Sequence, residues 1–315
     1  MTFKEKIDQL RALIDNSLGA LIDSDFVLWD LPYHSNIGDL LIWEGELSFL
    51  GGLKHNLMES RSRVDWSYKP LSEETIILLH GGGNFGDVWD YHQEFRCKII
   101  ESYPSNRIII LPQSVHYSDR QNMICDAEVF SKHPQLTICA RDRVSYDTLV
   151  ANFTDNNILM LPDMAFCIPS QSLLRHAVES GEKSLFLKRT DKELAAQRVD
   201  ITPHFPLTVA DWPTFGTLNP TTVSLKFAVE LYKLGVKIPN LDRYVANSYK
   251  QRLIKRGVRF VTEYREIFTT RLHVMILAIL LHRSVEVLDN SYGKNSRYYL
   301  TWLSDLDGVN MVGEV

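Results

Sequence analysis

Arg271 and His273 stand two residues apart at the mouth of an apolar run, Val274-Met275-Ile276-Leu277-Ala278-Ile279-Leu280-Leu281. Arginine is a permanent cation that grips carboxylate or phosphate with a planar fork. Histidine is the side chain whose proton exchanges near neutral pH. The run behind them reads as a buried helix, and a helix N-terminus adds its own attraction for an anion. The pair therefore describes an anion clamp, Arg271, beside a proton-transfer group, His273. The same residues could also serve structure alone, as an arginine paired with a carboxylate and a hydrogen-bonded, half-buried histidine. What decides is which other groups the chain brings to them.

Five β-type runs in the first half end in polar residues. Phe26–Trp29 leads to a loop with Asn36 and Asp39. Thr75–Leu79 leads to His80-Gly81-Gly82-Gly83-Asn84-Phe85-Gly86-Asp87. Ile108–Leu111 leads to Pro112-Gln113-Ser114-Val115-His116, Leu136–Ala140 to Arg141, and Ile158–Leu161 to Pro162-Asp163. Helical patterns separate the runs, so the sheet is expected to be parallel, and open parallel sheets bind ligands beyond the carboxyl ends of their strands. Gly81, Gly83 and Gly86 spell G-x-G-x-x-G, yet a dinucleotide site needs an acid at the end of the next strand, and that strand ends in Pro112-Gln113-Ser114. The glycines instead mark close backbone approach or positive φ. With Phe85 and Trp89, the polar groups of Asn84 and Asp87 suit the hydroxyls and apolar face of a sugar. A tight turn over core aromatics would read the same way. The substrate-binding candidates are Asn36, Asp39, Gly82, Gly83, Asn84, Asp87, Gln113, Ser114, His116, Arg141 and Lys294.

The elements that must position these groups follow from periodicity. Residues 3–18 carry a helical stripe of Ile7, Leu10, Leu13 and Ile14. Residues 167–182 read as a link. The second half opens with a strand, Ser184–Leu187, ending at Lys188 and Arg189, two further candidate cations. An irregular stretch, 195–220, holds a short strand near Leu207–Val209. Helices are expected at 221–235 and 241–256, strands at Val258–Val261 and Val285–Leu288, and a helix at 296–303. The fold class is α/β: two Rossmann-like domains, 1–172 and 183–315, facing across a cleft in a GT-B-like arrangement, with the last helix packing back on the first domain.

At 315 residues the chain suits two domains of ~150 residues each. Hydrophobic content of 45% and charged content of 23% belong to the globular class, and a net charge of −5 gives no bulk attraction for nucleic acid. Cys97, Cys125, Cys139 and Cys167 form no C-x-x-C pair, which argues against zinc or a disulfide framework. No stretch is apolar for long enough to span a bilayer, and the N-terminus lacks a signal-peptide core. The expected location is cytoplasmic, at the inner face of the membrane where an acceptor is lipid-linked.

Asn36-Ile37-Gly38-Asp39, the His80–Asp87 segment, Leu111-Pro112-Gln113-Ser114, Ala140-Arg141-Asp142, Pro162-Asp163, Arg271-Leu272-His273 and Lys294 occur in the order seen in the polysaccharide pyruvyl transferase family. The chain resembles that family from about residue 30 to about residue 300. The resemblance implies a GT-B-like fold and transfer of a pyruvyl group from phosphoenolpyruvate to a sugar as a cyclic ketal, with no cofactor and no metal. Two positions depart from the family: Asp142 stands where Glu is more usual, and His116 where many members have Gly. Phosphoenolpyruvate needs cations for its carboxylate and phosphate, which Arg141, Arg271 and Lys294 would supply. His273 would move the proton. Two other readings stay open on sequence alone: a GT-B glycosyltransferase using a nucleotide sugar, and a non-catalytic carbohydrate-binding scaffold.

Overall fold

The computed structural model describes residues 1–191, 193, 201–215, 220–236 and 238–313. Parts of the irregular 195–220 stretch, at 195–200 and 216–219, lie outside them. Helix α1 (Phe3–Leu18) is opened by a capping box, Thr2 with Glu5, and buries Ile7, Leu10, Ile14 and Leu18 on one stripe. The first half continues with β1 (Phe26–Trp29), α2 (Ile37–Leu50), β2 (Leu57–Ser60), β3 (Ile76–Leu79), β4 (Gly82–Gly86), α3 (Asp90–Ser102), β5 (Ile108–His116), α4 (Arg120–Ser131), β6 (Leu136–Ala140), α5 (Arg143–Asn152) and β7 (Asn157–Met160). A 3-10 turn, Met164–Cys167, and the short α6 (Ser170–Leu174) lead to the second half. That half holds β8 (Gly181–Leu187), β9 (Leu207–Ala210), α7 (Pro220–Lys233), α8 (Leu241–Tyr244), a π turn (Val245–Tyr249), α9 (Lys250–Thr262), β10 (Tyr264–Thr269), α10 (Leu272–Leu280), β11 (Val285–Val287), α11 (Lys294–Trp302) and β12 (Val309–Met311).

Two parallel sheets result. The first runs β2-β1-β3-β5-β6-β7, with β4 paired to β5; the second runs β12-β11-β10-β8-β9. In each, the chain starts inside the sheet, adds one strand on one side, then crosses over and winds the other way. The reversal falls between β1 and β3 in the first sheet and between β8 and β10 in the second. Loops leaving the two strands at such a reversal diverge and open a crevice. The groups placed there are Asp30 and His80 in one half, Arg189 and Arg271 in the other.

Several local expectations are corrected. Val258–Val261 is helix, not strand: Leu253, Ile254, Val258 and Val261 bury one side of α9 at helical spacing, and this packing overrides the β-branched preference. The central strand of the second sheet is instead Tyr264–Thr269, masked in the sequence by Arg265 and Glu266 on its more exposed positions. The glycine-rich segment forms a strand, with Gly82 opposite Gln113 and Gly86 opposite His116. Gln113 and Ser114 consequently lie inside the long β5 rather than beyond its end.

The halves share one apolar core. Helix α10 is buried along its whole length and touches α1, α2 and α9. Each Leu, Ile or Met it buries is worth about 1.5–3 kcal/mol, which anchors the end that carries Arg271 and His273. Helix α11 lies against α5, and its Trp302 Nε1 donates to the Arg141 carbonyl at 2.8 Å. Helix α2 runs so close to the 3-10 turn that a Cβ on Gly45 would come within 1.9 Å of the Met164 carbonyl oxygen. Replacing Gly45 by Ala adds about 1 kcal/mol of helix propensity, but overpacking against rigid backbone costs about 3 kcal/mol or more. Gly45→Ala should therefore lower the thermal midpoint by several degrees. A midpoint equal to or above that of the native protein would show that the two elements are not locked together.

Candidate active site

A cavity of about 450 Å³ opens between the two crevices. The first half contributes Asn36, Asp39, Gly83, Asn84 and His92, and the second Arg189, Asp191, Glu193, Arg271, His273 and Lys294. Trp89, Tyr91, Trp212 and Phe215 supply aromatic surface. Its size lies in the usual range of small-ligand sites.

Asp163 organises the floor. Its Oδ2 accepts from Arg141 Nη1 at 2.7 Å and lies 3.3 Å from His273 Nε2, while Oδ1 accepts from the Ala165 N–H at 2.9 Å. Burial alone would raise the pKa of this carboxyl, but His273 and Arg141 more than offset that and hold it well below the usual carboxylate range. Arg141 is fully buried. Its Nε donates to Ser114 Oγ at 2.9 Å, and that hydroxyl donates to Asp142 Oδ2 at 3.0 Å. Its remaining nitrogen, Nη2, is buried with no hydrogen-bond partner and points at Gly83. A Cβ on Gly83 would fall 2.8 Å from Arg141 Nη2 and 2.1 Å from Lys294 Nζ. The glycine is thus required by the two cations that converge on it.

Lys294 opens α11 behind Gly293, which takes the left-handed φ of 78°. Its ammonium is 3.9 Å from Glu193 Oε2. Burial, with Arg141 and Arg189 nearby, pulls its pKa down to about 8 despite Glu193 and Asp39. Arg271 is held by Asp211 through Nε (2.5 Å) and Nη2 (2.6 Å), with Asp191 3.2 Å away, and its guanidinium lies over the Phe215 ring. Arg189 is likewise held by Asp191 and Glu193. Arg141 Nη2, which makes no hydrogen bond, and Lys294, whose ion pair with Glu193 is long, are therefore the cationic groups left to meet a ligand beside His273. The His273 ring packs on Gly38, where a Cβ would meet Nδ1 at 2.6 Å.

Of the residues selected from sequence, Asn36, Asp39, Gly83, Asn84, Arg271, His273 and Lys294 line the cavity, and Arg141 lies directly beneath it. Gly82, Gln113, Ser114, His116 and Asp87 do not line it. Gly82 takes a φ of 136° in β4. Gln113 Nε2 donates to the His80 carbonyl at 2.7 Å. His116 stacks on Tyr292. Asp87 accepts from the Ser118 and Asp119 N–H groups and faces a different pocket. Asn36 caps α2 through the Gly38 N–H (3.1 Å) and also donates to Asp39 (2.7 Å), so the turn expected there and the cavity wall are the same structure. The sequence reading missed His92, Asp191, Asp211, Glu193, Trp212 and Phe215. The strand end after Ala210 was the signal available for Asp211 and Trp212; His92, on the first turn of α3, gave none. Among the described residues, no three His, Cys, Asp or Glu side chains are placed to hold a metal ion, and no helix is long and apolar enough to cross a membrane.

The model of one family, polysaccharide pyruvyl transferase, matches residues 36–292, a span that includes Asn36, Gly83, Arg141, Asp163 and His273. The chain belongs to that family. It is 33% identical to a Bacillus subtilis (strain 168) protein provisionally named the pyruvyl transferase EpsO, over 99% of this chain and 94% of the relative. It is 31% identical to Schizosaccharomyces pombe pyruvyl transferase 1, over 89% and 71%. A crystal structure of a functionally uncharacterised Klebsiella pneumoniae protein shares the fold, with a TM-score of 0.65, 19% identity and coverage of 97% and 99%. Membership supports a pyruvyl-transfer role in polysaccharide biosynthesis.

The low pKa of Lys294 gives a direct test of the anion site. The charged form binds an anion and is lost as pH rises through about 8. Affinity for sulfate, whose own charge is constant in this range, should weaken by up to about tenfold per pH unit above that point. Lys294→Met should bind sulfate weakly and without that pH dependence. Equal affinity at pH 7 and pH 9.5 in the native protein would remove Lys294 from the site.

Proposed function

We propose that the protein transfers the pyruvyl group of phosphoenolpyruvate to a sugar of a cell-surface polysaccharide or its precursor, forming a cyclic ketal and releasing phosphate. The observation that carries this reading is the convergence of Arg141 Nη2 and Lys294 Nζ on Gly83 beside a carboxylate-held histidine. Two cations with room for a small dianion, next to a proton-transfer group, are what the donor requires. The donor is placed against Arg141 and Lys294, with Arg271 and Arg189 as the wall of the second half. The acceptor sugar is placed against Asn36, Asp39, Asn84 and the aromatic surface of Trp89 and Tyr91. The division into domains 1–172 and 183–315 in a GT-B-like arrangement suits these roles, with the acceptor on the first half and the donor on the second half plus Arg141.

In the proposed reaction, His273 gives a proton to the methylene carbon of phosphoenolpyruvate as the first sugar hydroxyl adds to the neighbouring carbon. Phosphate then leaves, its developing charge met by Arg141 and Lys294, and a second hydroxyl closes the ketal. The pyruvyl carboxylate stays ionised beside the oxocarbenium carbon and stabilises it.

His273→Ala should lower phosphate release from phosphoenolpyruvate by about 10²–10⁴ while the variant still binds phosphoenolpyruvate in a calorimeter. Near-native release in that variant would sink the role. Binding of a nucleoside diphosphate sugar by the native protein, with no binding of phosphoenolpyruvate, would replace the reading with a nucleotide-sugar glycosyltransferase.

A further inference from the structure

We propose that His92, held by Asp30, is a second proton-transfer group of this cavity, taking the proton from an acceptor hydroxyl as that hydroxyl bonds to the ketal carbon. The inference rests on the pyruvyl-transfer reading above and adds to it the base on the acceptor side.

Cyclic ketal formation makes two new C–O bonds, and each sugar hydroxyl gives up one proton. One of those protons ends on the methylene carbon, which becomes methyl; the other leaves with phosphate. His273 completes the first half of this balance, giving its proton to carbon and recovering one from the first hydroxyl. The second hydroxyl attacks after the C–O bond to phosphate has broken, with phosphate keeping the electron pair. Its oxygen lone pair forms the last C–O bond, and its proton passes to His92 Nε2 and from there to the departing phosphate. No oxidant or further reactant is needed.

Asp30 directly follows β1, at the reversal of the first sheet, and it is fully buried. It holds a left-handed φ of 67°, a conformation that Asp adopts more readily than most non-glycine residues. Its Oδ1 lies 2.7 Å from His92 Nδ1, and its Oδ2 lies 3.6 Å from Arg96 Nη2, also fully buried. Burial would raise the pKa of the Asp30 carboxyl, but His92 and Arg96 reverse the shift and keep it low, so Asp30 is ionised. A carboxylate only accepts hydrogen bonds, so Asp30 holds the Nδ1–H of His92 and leaves Nε2 as the nitrogen that exchanges a proton with substrate. His92 lines the same cavity as Asn36, Asp39 and His273. Arg96 also donates to the Asn84 carbonyl at 3.0 Å and to its side-chain oxygen, so one buried ion pair fixes both the imidazole and the adjoining wall.

A purely structural pair would explain the contact but not an imidazole set at the cavity surface. His34 lines the cavity too, but the Asn36 N–H donates to its Nδ1 at 3.3 Å, and its Nε2 lies 3.6 Å from Asp39. Neither of its nitrogens is backed by a carboxylate with the other left for substrate. His80 is paired with Glu46 at 2.8 Å but does not reach the cavity wall.

The test compares phosphate release from phosphoenolpyruvate, at saturating acceptor, in the native enzyme, His92→Ala and Asp30→Asn. His92→Ala should lose about 10²–10⁴ in rate, bind phosphoenolpyruvate within threefold of the native affinity, and regain at least tenfold when free imidazole is added. Asn tolerates the left-handed backbone, so Asp30→Asn should fold and lose about 10- to 100-fold in rate. A His92→Ala rate within threefold of native, or a lost rate that imidazole leaves unchanged, overturns the assignment while the pyruvyl-transfer reading stands. A native enzyme that neither binds phosphoenolpyruvate nor releases phosphate overturns both.

Discussion

The structure depends on one shared carboxylate. Asp163 follows the last strand of the first sheet, yet it holds Arg141 from that sheet and His273 from α10 in the second half. Its backbone N–H donates to the Tyr298 hydroxyl of α11 at 3.0 Å, so a third element meets at the same residue. A buried carboxylate tolerates burial only when its charge is met; here the two groups that meet it are the cation and the histidine of the proposed reaction. The interaction that lets the halves bury a charge together is therefore also the one that sets donor cation and proton carrier at a fixed separation.

Backbone closeness does the rest. Gly83 lets Arg141 and Lys294 come together above the sheet, Gly38 leaves space for the His273 ring, and Gly45 lets α2 run against the turn that carries Asp163. Each substitutes proximity for a side chain. The apolar length of α10 then keeps His273 where the carboxylate needs it, because nearly every face of that helix is packed. The charges around Arg271 and Arg189 are balanced within the second half by Asp191, Asp211 and Glu193. That leaves Arg141 Nη2, which makes no hydrogen bond, and the loosely paired Lys294 as the cationic groups with donors to spare for a ligand.

Much of this arrangement was legible in the chain. Parallel strands with polar ends, the glycine cluster, and Arg271 with His273 ahead of an apolar helix are local patterns, and each sets where its own side chains go. What escaped was long-range. Nothing local shows that Asp191 and Asp211 engage Arg271, and from spacing alone that arginine looks available. Gln113 and Ser114 read as polar residues beyond a strand end, but pairing with β4 and β6 extends the strand through them. Val258 and Val261 favour a strand by type and are helical by packing. His92 belongs to a surface helix by pattern and becomes a cavity residue only because Asp30, sixty-two positions earlier, turns back beneath it.

The account is tested most directly by the rate of phosphate release from phosphoenolpyruvate and acceptor sugar in Asp163→Asn. The substitution keeps the size of the side chain and removes the charge shared by Arg141 and His273. The account predicts a loss of about 10²-fold or more in a protein that still folds. A folded Asp163→Asn enzyme working within twofold of the native rate would contradict it.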